Sequence, residues 1–211
     1  MNAQEEKRLT IIEAAIRRFG HFGIAKTTMA EIAADLSQSK ASLYYYFPDK
    51  SSLFTAALMH AIGDTFDQVS DHIPTITKTE DALMFLLDKR MEFVTRHYKL
   101  FEHMVGGGQQ PSKELAAILV ETKRGQIELI KSILQRGIES GQLRHVDAEE
   151  TAQIILYALE GMRFSILQDM DVSLFPTTEE FSTILHYQQK MIRILMKGLS
   201  AAPPSPSFLF R

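Results

Sequence analysis

The 211-residue sequence predicts an all-α fold, on three observations. Apolar residues recur at three- and four-residue spacing through almost every segment, as one face of a helix requires. Ser, Thr or Asp stands at the head of several of these segments, with Glu three residues on in three cases, the reciprocal pattern of a capping box. No five-residue run alternates apolar with polar between turn residues, so a sheet has no candidate strands.

The first helix is marked by Leu9, Ile12, Ile16 and Phe19, and Gly23 stands where a C-terminal cap would end it. Thr28, with Glu31 three residues on, opens a short second helix over about 29–36, apolar along Met29, Ile32, Ala33 and Leu36. A polar turn at Ser37 and Gln38 leads to Ser39, which caps a second short segment, KASLYY. Pro48-Asp49 then breaks the chain. From Lys50 a long helix carries Leu53, Phe54, Ala57, Leu58, Ala61, Ile62, Thr65, Phe66 and Val69 on one stripe, ending at Pro74. Further helices fall at about 79–98, 99–105, 112–140, 147–169 and 178–199, with Asp147–Glu150 and Thr177–Glu180 as capping boxes for the last two. Gly106-Gly107-Gly108 followed by Pro111 reads as a loop, and Gly141 and Pro176 mark other joints. Domains are expected at 1–50 and 51–200, with 51–71 as the connecting helix and 201–211 as a disordered tail.

Composition narrows the class. With 45% hydrophobic and 23% charged residues the chain is neither disordered nor fibrous. It has no cysteine, which removes disulfides, thiolate nucleophiles and cysteine-bound zinc, and fits a reducing interior. The longest uncharged stretches, 51–63 and 198–210, are shorter than the roughly 18 residues of a membrane span. The opening MNAQEEKR is followed by no apolar signal core, so a cytoplasmic protein is expected. Net charge is −3, with +1 in residues 1–50 and −4 in the remainder. Any nucleic-acid binding must then rest on a few placed groups and helix N-termini rather than on bulk charge.

The stretch 27–50 supplies such groups. Two short helices joined by a tight turn bury little apolar surface and need a third helix across them, as a helix-turn-helix does. On the third helix Ser39, Lys40, Ser42 and Tyr45 face out, while Leu43, Tyr46 and Phe47 face in. Ala41 keeps the surface low, and Lys40 suits guanine N7 and O6. Thr28, Tyr44 and Lys50 suit phosphates. Spacing alone leaves this unit open between DNA reading and plain packing.

Residues 11–54, IIEAAIRRFGHFGIAKTTMAEIAADLSQSKASLYYYFPDKSSLF, resemble the N-terminal domain of the TetR (AcrR-like) family of bacterial transcriptional regulators. The matching pieces are Ala14-Ala15, Phe19, Gly23, Thr27-Thr28, Ile32-Ala33, Ser39-Lys40, Leu43-Tyr44, Tyr46-Phe47, Lys50 and Leu53. The resemblance implies a three-helix DNA-binding domain, a C-terminal helical domain for ligand and dimerisation, and a near-palindromic operator in double-stranded DNA. It puts the base-reading surface on Ser39, Lys40, Ala41, Ser42 and Tyr45, and phosphate contacts on Thr28, Tyr44 and Lys50. Four residues depart from the pattern: Arg18 for an apolar residue, Gly20 for a helix former, Ser37 for a glycine, and Gln38 for a small apolar residue. Gln38 is thereby freed to reach DNA.

The last two helices each carry two apolar or small-residue faces, more than one protomer needs, so a homodimer is expected. Its interface is assigned to Ile155, Leu159, Met162, Ile166, Leu185, Gln188, Ile192 and Leu195. A pocket for a small hydrophobic or aromatic effector is expected among residues 79–169, walled by Phe93, His97, Phe101, Met104, Tyr157 and Phe164, with Arg124, Glu160 and Arg163 as polar anchors. An enzyme of the di-metal carboxylate kind would need Glu-x-x-His pairs, and the sequence has none. No His-Glu-x-x-His occurs either, and the triple glycine lacks the lysine of a phosphate loop, so no metal, cofactor or catalysis is expected. The reading is a ligand-responsive homodimeric repressor; an activator, or a regulator without an effector, is the alternative.

Overall fold

The structure, a computed structural model, describes residues 2–106, 113–169 and 178–201; side chains of 101–106, 168, 169 and 178 are also outside the description. The described residues form helices α1 (Ala3–Phe22), α2 (Met29–Asp35), α3 (Lys40–Tyr46), α4 (Lys50–His72), α5 (Thr79–Gly106), α6 (Lys113–Glu139), α7 (Ala148–Asp169) and α8 (Thr178–Leu199), with one 3-10 turn at Ile73–Thr75. No strand occurs among them, only an isolated bridge between Leu143 and Ser200. Gly106, expected in a loop, is the last residue of α5, while Gly107, Gly108, Pro111, the Thr177 cap, Pro176 and the tail from residue 202 lie outside the described residues. No described helix is long and apolar enough to cross a membrane.

Local chemistry sets the boundaries. Gly23 ends α1 at φ 80°, a left-handed value that a Cβ disfavours, and its N–H closes on the Phe19 carbonyl. Thr28 and Glu31 form the expected reciprocal box at α2, and Ser39 caps α3 through the Ser42 N–H. Asp147 accepts from the N–H groups of Glu149 and Glu150, both at 2.9 Å. The expected pair of helices over 79–105 meets at a kink at His97, where φ is −107° and ψ 15°; the two are named together as α5.

The chain divides into two compact units. The first unit takes the described residues of 1–69 and 90–122, so most of α4 and parts of α5 and α6 belong with α1–α3. Its core joins Ile11, Ile12, Ala15 and Phe19 of α1 to Ile32, Leu43, Phe47, Leu53, Phe54 and Leu58, with Leu100 and Leu115 added. The second unit takes the described residues of 70–89, 123–172 and 176–211. Here the Arg136 guanidinium donates to the carbonyls of Ile73 (3.0 Å) and Ile76 (2.7 Å), and the Gln142 amide bridges Thr77 and Thr79.

The pairing of α7 with α8 corrects the sequence expectation. Ile155, Leu159, Gln188 and Ile192, assigned to a dimer interface, are 1%, 3%, 3% and 1% exposed within the single chain. The Gln188 amide donates to the Leu159 carbonyl at 2.8 Å, which satisfies a buried polar group inside the protomer. Met162, Ile166, Leu185 and Leu195 are half-buried. The outward apolar residues of these helices are instead Ile154, Tyr157, Phe164, Tyr187 and Ile194. Half of the stripe read from the sequence is thus buried inside the protomer.

Candidate nucleic-acid interface

In the first unit α2 and α3 are joined by a short turn. The Gln38 N–H donates to the Ala33 carbonyl at 2.9 Å, and Ser37 carries the turn at φ 53°. That left-handed conformation is where a glycine would cost least, and Ser37 occupies it with a short polar side chain. Gln38 does not project freely: its Oε1 accepts from the Ser42 hydroxyl at 3.0 Å. Ser42, expected to face out, is accordingly half-buried.

What α3 presents to solvent is Lys40, Ala41, Tyr44 and Tyr45, residues spaced to share one helical face. Leu43, fully buried, and Phe47 fix the opposite face to the core. Tyr45 is 73% exposed, and the Lys40 ammonium lies 5.6 Å from the Tyr44 ring centre. The start of α1 braces this helix from beside it. Gln4 donates to the Tyr45 hydroxyl (3.4 Å), the Lys7 ammonium stands over the Tyr46 ring, and the Arg8 guanidinium stands 5.0 Å from the Phe47 ring centre.

Arg18, a departure from the family pattern, has a structural use that the sequence reading missed. Its guanidinium takes Asp35 in a forked contact (2.7 and 3.3 Å) and reaches Glu31 at 3.4 Å, tying α1 to both turns of α2. The spacing of Glu31 and Asp35 on one helix face was the available signal. Hydrogen bonding to Arg18 holds the Asp35 carboxyl below the usual range, and the Thr28 backbone N–H does the same for Glu31. Gly20, another of the four departures, has open space around the position a Cβ would take.

Lys50, expected at a phosphate, donates from its ammonium to the carbonyls of Ile24 (2.8 Å) and Thr27 (3.0 Å), which leaves one of its three N–H groups.

The expected effector residues are divided between the two units. Phe93 and His97 fall in the first unit, where their rings lie 4.9 Å apart and burial holds His97 below its usual pKa. Arg124, Tyr157, Glu160, Arg163 and Phe164 fall in the second; Tyr157 and Phe164 are 53% and 64% exposed, on the outward face of α7. The side chains of Phe101 and Met104 lie outside the described residues. A cleft of about 930 Å³ in the first unit, between α1 and α4, is lined by none of them. No group of three or more His, Cys, Asp or Glu among the described residues is arranged to hold a metal ion.

A capped short helix, a tight turn and a second helix with one buried and one bare face define a helix-turn-helix DNA-binding protein. Residues 11–57 match the profile of the bacterial regulatory proteins of the tetR family. An uncharacterised HTH-type transcriptional regulator of Bacillus subtilis (strain 168), YuxN, is 35% identical over 203 residues, covering 96% of this chain and 67% of the relative. A transcriptional regulator from Cytophaga hutchinsonii has the same fold, with TM-score 0.83, 26% identity, and coverage of 94% of this chain and 100% of that one. FadR of Bacillus subtilis, solved in complex with stearoyl-CoA, shares the fold at TM-score 0.64 and 17% identity over 90% of this chain and 98% of its own. The chain belongs to the tetR family: it is a DNA-binding transcriptional regulator, and not an enzyme.

Proposed function

We propose that the protein is a homodimeric repressor that reads a near-palindromic operator with α3 and is released by a small hydrophobic effector. The observation that carries this is the bare face of Lys40, Ala41, Tyr44 and Tyr45, opposite the buried Leu43 and Phe47. Lys40 donates to a guanine edge, and Ala41 lets the helix backbone approach. Tyr44, Ser39 and the Thr28 end of α2 meet phosphates; Gln38 and Ser42 support the turn through their mutual hydrogen bond. The dimer forms through the outward face of α7 and α8, at Ile154, Tyr157, Phe164, Tyr187 and Ile194.

The stearoyl-CoA complex of FadR supports a long acyl chain as the first effector to try. Release is a population shift, and taking the dimer from 1:99 to 99:1 requires about 5.5 kcal/mol of preference for the released state. The test is a footprint on the DNA flanking the coding region, with and without stearoyl-CoA. A two-fold-symmetric protected region that opens with the acyl-CoA supports the proposal. Protection that acyl-CoA leaves unchanged removes that effector, and the absence of any protected region removes autoregulation.

A further inference from the structure

We propose that the cleft between α1 and α4 in the first unit binds a linear aliphatic diamine or polyamine. The site lies apart from the bare face of α3 and does not depend on how that face is read. The cleft has a volume of about 930 Å³, within the roughly 300–1,000 Å³ of small-molecule sites. Its room comes from the sequence of α4. Leu53, Phe54, Ala57 and Leu58 turn one face of that helix into the core, while Ser52, Ala56 and Gly63 line the cleft. Those three side chains are too small to fill it, and a Cβ on Gly63 would meet nothing within 4 Å.

The lining has an apolar floor and an acidic rim. Leu9 and Ile12 of α1 and Ala56 and Met59 of α4 supply the floor. Met59 is 55% exposed there, and its adaptable thioether chain suits contact with methylene groups. The rim carries Glu5, Asp49, Asp64, Asp67 and Glu114, all exposed, against Arg8 and His60. The Arg8 guanidinium is turned over the Phe47 ring, and His60 is taken by Asp64 at 3.3 Å. Among the described residues no ion pair engages Asp67 or Glu114. A cleft lined by one sign of charge concentrates counter-ions, so the ligand is a cation. Among the described residues no three His, Asp or Glu are grouped to hold a metal ion, which points to an organic one. Order along α4 supplies the rest. Asp49 stands before its first turn and Asp64 and Asp67 stand roughly 20 Å further on at the helical rise, with Ala56 and Met59 between them. A methylene chain with an ammonium at each end repeats that sequence of charge, apolar stretch and charge.

The experiment is a calorimetric titration of the full chain, without DNA and at low salt, with dodecamethylenediamine. Putrescine and magnesium carry the same charge without the long chain and serve as comparisons. The long diamine should bind at least about tenfold more tightly than either, since burying as few as two of its extra methylenes is worth that much. Gly63→Leu, which fills the cleft, should abolish binding. Asp67→Asn combined with Glu114→Gln should weaken it about threefold or more through two lost charge contacts. Both residues are exposed, so this variant decides the matter if Gly63→Leu fails to fold. Equal affinity for the diamine, putrescine and magnesium overturns the proposal, because charge attraction alone gives that result. Unchanged affinity in either folded variant overturns it as well, as does the absence of saturable binding at millimolar diamine. A tetralysine peptide that binds more tightly than the diamine would make the cleft a protein-docking groove and overturn the assignment to a small amine.

Discussion

Replacing Phe164 by alanine, and in a separate protein Ile155 by alanine, distinguishes the outward face of α7 from the face that packs on α8. Phe164 is 64% exposed in the protomer and Ile155 only 1%. Truncating Ile155 therefore opens a cavity and costs about 2–5 kcal/mol of protomer stability. Truncating Phe164 costs the protomer about 0.5 kcal/mol or less, as at other surface sites. Across a two-fold interface each substitution counts twice. Burial of a phenylalanine is worth about 1.5–3 kcal/mol, so losing two weakens the dimer by about 3–6 kcal/mol. That is roughly a 10²- to 10⁴-fold rise in its dissociation constant. Sedimentation velocity over a dilution series, beside thermal melts of both variants, makes the comparison. A Phe164→Ala protein that melts like the wild type yet dissociates on dilution is the expected result. A Phe164→Ala protein that remains dimeric, with an Ile155→Ala protein that dissociates without losing stability, would refute the reassignment of the interface.

Three further outcomes follow from particular contacts. Gly20→Ala should raise stability by about 1 kcal/mol, since a Cβ there meets nothing and the helix gains propensity; a lower denaturation midpoint would contradict it. Gly137→Ala should lower stability by about 1–3 kcal/mol, because its Cβ would overlap the Thr79 hydroxyl and crowd Leu143, and an unchanged midpoint in urea would count against that packing. Asp35 and Glu31 have folded pKa values below their ordinary ones, so their contribution is complete above the unfolded values near pH 4 and disappears as pH falls through the folded ones. Melting temperature should therefore drop on acidification below about pH 4, and Arg18→Leu should flatten that limb by removing the Asp35 contact; parallel curves for the two proteins would exclude it.

What could be read from the sequence was what is settled within a few residues. Gly23, the Thr28–Glu31 box and the Ser39 cap act over one turn, so their spacing was sufficient to position α1, α2 and α3. Leu43 and Phe47 followed from helical periodicity in the same way. The misreadings are tertiary. α7 has two apolar stripes, and only the presence of α8 decides that Ile155 and Leu159 turn inward while Tyr157 and Phe164 stay out. Tyr157 and Phe164, expected as pocket walls, stand on the exposed face of α7, and the same residue types serve either place. Lys50 has a long flexible stem, and its contacts with a loop more than twenty residues away could not be read from local spacing. Arg18 looked like a misplaced charge until its partners on α2 were located.

The central claim is that α3 reads bases through Lys40 and its neighbours. Selecting bound sequences from a random duplex pool, with the wild type and with Lys40→Ala, tests it most directly. The account predicts that the wild type enriches an inverted repeat with half-sites about 34–36 Å apart, one turn of the duplex. Lys40→Ala should bind that site more weakly by about 1–3 kcal/mol and lose its preference at one guanine per half-site. No enriched repeat with the wild type, or the same guanines enriched with equal strength by Lys40→Ala, would contradict it.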